Sequence, residues 1–398
     1  MFANCKNNFE LKTEEYKRFR IQYSESIENI SSIWMASCPN DEYWQVKYHL
    51  ALEASLPQGL KPYYCILWQG EFCVGLVYMQ HKVVHLNEAV RLKKDTLLNK
   101  VMKKAILPFL SADTLVIGNM LLTGKYGFHF NENIDLLTQF DLVDHISESA
   151  SIHLKEKGIK IGTVLLKDFF ENQIFPANQY NSYAKFSIQP NMIFNYQAEW
   201  KNMNDYVQAM KTKARTRHNR SRKKIGDLKK IELSLQQLKE LKKEMHDLYM
   251  NIVNNVNFNL FFLNQDYFYC LKKELGDDFK VYGYYNGEQL IAFYTLLKNH
   301  NHIDAHFLGY DYQINKEHQI YHNMLIDMVE IGFEQNANFI NMSRTAVEIK
   351  SSVGADPFTM YCYLKHRNKL LNYLVNPVVG FLYKNEPWAL RNPFKDES

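Results

Sequence analysis

The sequence predicts an α/β (α+β) fold of two tandem units, each a mixed, largely antiparallel sheet flanked by helices. Three observations carry this. Residues 63–80, YYCILWQGEFCVGLVYMQ, read as two β-rich runs joined by a turn at Gln69-Gly70, and residues 279–298, FKVYGYYNGEQLIAFYTLLK, repeat the design around Asn286-Gly287. With Gly70 set on Gly287, Glu71 falls on Glu288, Val74 on Ile291 and Gly75 on Ala292. Upstream of each hairpin lies a helix-like segment, DEYWQVKYHLALEASL (41–56) and QDYFYCLKKELGDD (265–278), and both start with an acid, a Tyr and an aromatic. Helix then hairpin in matching order points to a tandem repeat rather than two chance hairpins.

The halves stay parallel downstream. In the first, a strand TLVIGNM (114–120) leads through LLTGKYGFHF into a helix at about 133–156 and a strand IKIGTVLLK (159–167). In the second, NHIDAHFLGY (301–310) leads through a loop, DYQINKE, into a helix with the apolar stripe Ile320, Tyr321, Met324, Leu325, Met328 and Ile331, then a strand NFINM (338–342). These elements divide the chain into a first unit with an N-terminal extension (1–188), a second unit opening with a basic helix (189–368) and an apolar, aromatic arm (369–398).

Composition narrows the function classes. Hydrophobic residues make up 46% and aromatics 14%, which is a folded, not a disordered, chain. The six cysteines contain no C-x-x-C pair, against both a zinc site and a disulfide framework, and a reduced cytoplasmic setting is expected. MFANCKNNFE lacks the pattern of a signal peptide, and no run of eighteen apolar residues spans a membrane. The segment LLNYLVNPVVGFLYKNEPW (370–388) reads as a packed C-terminal helix or arm, or as a peripheral contact with the inner membrane face.

The charge is local. KTKARTRHNRSRKK (211–224) holds eight Lys or Arg among fourteen residues and no acid, whereas the whole chain carries only +4. Within 206–228, Val207, Met210, Ala214, Ser221, Ile225 and Leu228 form a narrow helical stripe for packing, leaving Arg215, Arg217, Arg220 and Arg222 over the remainder. Uncompensated cations repel one another, so an anionic partner is expected: an RNA backbone such as tRNA, anionic lipid, or an acidic acyl carrier protein. Aromatic interleaving for base reading is missing.

The strings GNMLLTGKYGF, YVQAMKTKARTRHNRSRKK and INMSRTAVEIKSSVGADP, with the element order, give a chain that resembles the tandem GNAT acyltransferases over about 35–368. It is similar to the peptidoglycan-branching (Fem-type) aminoacyltransferases and to BioF2-like acetyltransferase domains. The resemblance implies an N-acyltransferase that moves an acyl or aminoacyl group to an amine, with no tightly bound cofactor and acyl-coenzyme A or aminoacyl-tRNA as cosubstrate. A degenerate, non-catalytic GNAT-fold binder of RNA or membrane is the alternative. The coenzyme A signature Q/R-x-x-G-x-G/A is absent, and the second unit's loop YDYQINKEHQ (310–319) has no glycine.

Several residues then become candidates. GNMLLTGKYG (118–127) offers Gly118, Asn119, Thr123, Gly124 and Lys125 as a phosphate cradle ahead of a helix, or is an ordinary connection with glycines at positive φ. Alternation along HIDAHFLGY puts His302, Asp304, His306, Leu308 and Tyr310 on one face. On it, Asp304 or His306 would take the amine proton and Tyr310 would protonate the leaving group. Thr345 and Glu348 form a capping box, with Gly354 and Pro357 ending the short helix. Arg344, and secondarily Lys350, would bind a carboxylate or phosphate of the acceptor. His318 and His322 lack the Glu of H-E-x-x-H and a third ligand, so no metal site is expected.

Overall fold

The computed structural model describes residues 12–84, 112–174, 182–255, 259–382 and 388–395. The first half runs β1 (Thr13–Tyr16), β2 (Phe19–Ser24), α1 (Ser31–Ser37), α2 (Val46–Ala54) and the hairpin β3 (Leu60–Gln69) with β4 (Phe72–Val84). β5 (Ala112–Ile117), a short β6 (Phe128–Phe130), α3 (Leu136–Glu156), β7 (Ile161–Phe170) and β8 (Ala184–Ser187) follow. The second half runs β9 (Asn191–Asn195), α4 (Met203–Ala209), α5 (Thr212–Lys224), β10 (Lys229–Glu232), α6 (Leu235–Glu240), α7 (Lys242–Val253) and α8 (Tyr267–Leu275). It continues with β11 (Phe279–Asn286), β12 (Gln289–Asn299), β13 (His302–Tyr310), α9 (Tyr312–His318), α10 (Ile320–Glu334) and β14 (Phe339–Asn341). It ends with α11 (Val347–Ser351), β15 (Asp356–Phe358), β16 (Met360–His366) and α12 (Lys369–Leu382).

Both expected hairpins form, and their turns need the glycines: Gly70 and Gly287 each sit at φ 60°, where a side chain would strain the backbone. The first sheet has the order β1-β2-β3-β4-β5-β7-β16-β8, with β6 pairing beside β4; the second has β10-β11-β12-β13-β14-β9-β15. Among the named strands, the β5/β7 and β13/β14 pairs are parallel and the others antiparallel. The expected mixed, largely antiparallel sheets are therefore present twice.

The sheets do not follow the boundary drawn at 188. β16, inside 189–368, pairs with β7 and β8 of the first sheet, while β9 fills the matching place beside β14 in the second. The chain thus crosses between the units twice.

Three apolar clusters hold the layers. One lies between the first sheet and α3, with Phe140, Ile146 and Leu154 buried against it. A second lies under α4, α5, α9 and α10, where Ile320, Met324, Leu325, Met328 and Ile331 are buried and Tyr321 half-buried. The third joins the units: Trp34, Tyr48, Leu52 and Tyr64 of the first pack with Tyr267, Leu271, Phe279 and Phe293 of the second. Burial of each such aromatic contributes roughly 2 kcal/mol, so the interface is a core rather than a surface contact.

Two local expectations are corrected. The basic helix does not run unbroken from 206: Met210 is extended between α4 and α5, because Lys395 donates to Ala209 O (3.1 Å) and Lys211 donates to Pro393 O (2.8 Å). The stretch DYQINKE is a helix, α9, not a loop, because the Asp311 carboxylate accepts from the amides of Gln313 and Ile314 and starts it.

Candidate active site

β13 and β14 pair only over His302–Asp304 and Phe339–Asn341 and then part. Asn341 ties the opening: its Nδ2 donates to Asp304 Oδ1 (2.7 Å) and its Oδ1 accepts from Ser343 N (3.1 Å), while Ser343 Oγ donates to Ala305 O (3.0 Å). The first unit repeats this, for β5 and β7 end their pairing at Ile117 and Leu166. Two residues beyond the last pair, Asp168 (φ 66°) and Ser343 (φ 60°) hold matching left-handed positions. Arg344 bridges the units by an ion pair with Asp168.

Asp304 is buried where β13 and β14 part, with Oδ2 lacking a hydrogen-bond partner 3.2 Å from His302 Nε2. From the first unit comes Asp41, which accepts from Tyr43 N (2.9 Å). Burial lifts the Asp41 carboxyl to about 6, and the charge of Asp304 adds to the rise. Tyr43 and Tyr126, with ring centroids 5.0 Å apart, wall the site and feel both carboxylates. The sequence reading missed Asp41, which stands one residue before the acid, Glu42, of the repeated acid-Tyr-aromatic start; the two tyrosines of that start, Tyr43 and Tyr267, both reach His306.

The predicted face of β13 is broken. A bulge sets Thr295 against both His306 and Phe307, and Thr295 Oγ1 bonds the amide and carbonyl of Phe307 (2.9 and 3.0 Å). Phe307 therefore joins His306 on the inter-unit side, while Leu308 and Tyr310 turn to the opposite side, where Tyr310 packs on Tyr321 of α10. Tyr310 is thus separated from Asp304. His306 is no base either: burial pushes it down to about 3, and Nε2 lies 2.7 Å from the Tyr267 hydroxyl.

The loop 118–127 is occupied by the protein itself. Met120, Leu121 and Leu122 are buried in the inter-unit core, and Asn119 accepts from Leu121 N (3.0 Å) and donates to the Tyr48 hydroxyl (3.1 Å). Gly124 N donates to Asp168 Oδ2 (3.2 Å), and at Gly118 a Cβ would stand 2.9 Å from that of Lys167. Lys125 lies over the Phe128 ring (4.2 Å), with burial lowering it to about 8, and Thr123 is half-buried. β6, not a helix, follows the loop; α3 starts beyond it under the Asp135 carboxylate, which accepts from Thr138 N (3.0 Å). The phosphate cradle is therefore corrected: the amides of Gly118, Met120, Leu121, Leu122, Gly124 and Tyr126 already have partners inside the protein, and Asp135 caps the helix beyond β6.

Arg344 and Lys350 are likewise committed. Asp168, fully buried, meets Arg344, Lys167 and the Cys362 thiol (3.5 Å); burial opposes its ionisation, but Lys167 and Arg344 outweigh this and hold it low. Lys350 is buried and donates to Ser343 O (3.2 Å) and Arg344 O (2.7 Å), closing a loop with positive φ at Ser343, Thr345 and Ala346. The expected capping box is absent: Ala346 is the N-cap without a side-chain bond, and Glu348 accepts from Ala389 N (3.3 Å).

The basic helix α5 packs on α9 and α10, on the face of the second sheet opposite Asp304. Arg217 and Arg220 are exposed, and Arg215 donates to Gln208 (3.1 Å). Arg222 is structural, bonding Asp327 (2.6 Å) and Glu330 (2.9 Å) of α10. His318 and His322 pair with Lys224 O (2.7 Å) and Ser221 Oγ (2.9 Å). Among the described residues no group of three or more His, Cys, Asp or Glu side chains is arranged to hold a metal, and no helix is long and apolar enough to cross a membrane. On α12, Leu370, Tyr373 and Leu374 are exposed; residues 383–387 of the apolar arm lie outside the described residues.

No protein-family model matches this sequence, and no curated protein does. Among solved structures, the chain is similar to FemX, with a TM-score of 0.50 and 10% identity over 89% of this chain and 99% of that one. It is also similar to a tandem GNAT protein from the clavulanic acid biosynthesis pathway (TM-score 0.49, 8% identity, 87% and 98%). A conserved protein of unknown function from Bacteroides thetaiotaomicron VPI-5482 matches at 0.44 and 12% over 86% and 99%. The FemX likeness is one of fold and runs along nearly the whole of both chains.

Proposed function

We propose that the protein is an N-acyltransferase that moves an aminoacyl or acyl group onto an amine, with Asp41 and Asp304 together as the base. The observation that carries this is that Asp41 of the first unit, lifted to about 6 by burial, also feels the charge of Asp304 of the second. A base poised near neutral pH accepts the ammonium proton that an attacking amine must lose.

The donor is an aminoacyl-tRNA in preference to an acyl-coenzyme A. A coenzyme A pyrophosphate needs free amides at the helix that follows β5 or β13, and both helices are capped by their own carboxylates, Asp135 and Asp311. The exposed cations of α5 suit an RNA backbone, entering on the face opposite Asp304 and reaching it through the gap between β13 and β14. An acidic carrier protein is the remaining donor that the same cations would accept.

Native mass spectrometry with bulk tRNA, acetyl-coenzyme A and a long-chain acyl-coenzyme A tests the donor. Transfer from charged tRNA to an amine, lost in Asp41→Asn and Asp304→Asn, is the expected result. Stoichiometric binding of a thioester alone overturns the donor assignment, and salt-sensitive RNA binding without transfer from any donor overturns the enzyme in favour of a binding protein.

A further inference from the structure

We infer that Asn299 is the positioning residue for the base: from the end of β12 it holds residues 41 and 42 of the first unit against the second, and so sets where Asp41 stands. The use of Asp41 rests on the transferase reading above; the contact does not.

The tight return between β12 and β13 places this side chain. Asn299 pairs with His302 and Leu297 with Asp304, and directly opposed residues of an antiparallel pair share a face of the sheet. Asn299, His302 and Asp304 therefore stand together on the side that meets the first unit, where Leu297 joins the inter-unit core. His300, at φ 53°, closes the turn. Asn299 is 1% exposed, so the two ends of its amide must be answered from within the protein.

The first unit supplies the answer. Glu42 N donates to Asn299 Oδ1 (3.1 Å), which identifies the oxygen and leaves Nδ2 to face elsewhere. Nδ2 is sealed from solvent without a partner of full hydrogen-bond geometry, and the group on which Asn299 acts is the Asp41 carboxyl, where it opposes the rise that burial imposes. Asp41 itself uses Oδ1 to accept from Tyr43 N (2.9 Å), which starts the helical turn Glu42–Trp44. Two outer contacts flank this one. Asn40 Nδ2 lies 3.3 Å from His300 Nδ1, and Lys47 links Glu42 (2.7 Å) to Asp278 of the second unit (3.0 Å). Both lie nearer water, where such contacts hold little, so the buried amide governs.

An amide suits the place because it accepts a backbone N–H at one end and offers N–H to a carboxylate at the other; neither Asp nor Leu does both. Besides Asn299, the groups that face Asp41 are Asp304 and His302 of β13, Cys38, Tyr43 and Tyr48 from its own side, and Tyr126. Asp304 favours the protonated form of Asp41 and His302 opposes it. Asn299 is the uncharged group that moves the same balance.

The first test is NMR of the full unsubstituted chain, labelled with 15N and 13C, with the Asn299 side-chain signals identified by their proximity to the Glu42 amide proton. That side-chain amide should shift with the same midpoint as the Asp41 carboxyl carbon, about 6, and should lose the shift in Asp41→Asn. An amide that stays constant while Asp41 titrates overturns the inference. The second test is Asn299→Asp, which keeps an oxygen for Glu42 N but puts an acid where Nδ2 stood. The Asp41 midpoint and the acid limb of transfer should both rise by about one pH unit, lowering transfer about fivefold near pH 6 and sparing it near pH 8.5, with KM kept. A merely structural residue would lower transfer equally at every pH, and that result overturns the positioning role. If Asn299→Asp does not fold, the amide titration in the unsubstituted chain decides. Transfer from no donor overturns the transferase reading and the use of Asp41 with it, whereas an active transferase whose Asn299 amide ignores Asp41 overturns this inference alone.

Discussion

At Asp41, one physical cause produces opposite effects on activity and stability. Burial favours the protonated carboxyl, so the base is active only above about 6 and transfer should fall as pH drops through that value. The folded form also holds a proton that the unfolded chain has released between about 4 and 6, so this residue contributes less stability as pH rises through that window. Asp41→Asn keeps an oxygen for Tyr43 N and removes the buried charge. It should abolish transfer yet melt slightly higher at pH 7.5, by about 1 kcal/mol after allowance for solvent screening. A lower melting temperature in a calorimetric scan would show that Asp41 is structural. Asp41 lies next to a legible repeated motif, Glu42-Tyr43-Trp44, but neither its role nor its partner was legible. Nothing local says that residues 41 and 304 converge, since only the docking of two units brings them together.

Among the elements, the bulge in β13 and the helix α5 mark what periodicity can and cannot give. Strict alternation assigns Tyr310 to the face of Asp304, and one extra residue at His306-Phe307 reverses every later side chain. The hairpins and α10 were legible because glycine turns and an apolar stripe are local signals. For α5 the stripe was right, but sequence treats its arginines alike. Replacing Arg217 and Arg220 with Gln should leave the melting temperature unchanged while lowering tRNA affinity and its salt slope by about two charges, measured by binding across salt concentrations. Arg222→Gln should instead lower stability by about 1–3 kcal/mol in urea, because Asp327 is 1% exposed and keeps only Lys230 as a cation, at 3.3 Å. On α10, Gly332→Ala should cost about 1–3 kcal/mol, since a Cβ there overlaps the Tyr196 hydroxyl, which donates to Val329 O (2.7 Å).

In the whole molecule, the two units share a core, a buried ion pair and exchanged strands. Calorimetry should accordingly give one transition whose measured and van't Hoff enthalpies agree; two separated peaks would mean that the units are independent. Asp168→Asn should lower that single transition, by roughly 3 kcal/mol, because Arg344 and Lys167 are left without their counter-ion at the joint. The duplication was legible, but the exchange was not: β9 and β16 are short antiparallel partners whose sequence says nothing about which sheet they enter.

The place of β16 also sets an order of events during synthesis. The first sheet lacks the strand between β7 and β8 until residues 360–366 have left the ribosome. Until then the edge of β7 stays open while the whole second unit is being translated. A nascent chain therefore cannot finish its first half before its second, and a message cut short after residue 358 would release a protein with both halves begun and the first one unclosed.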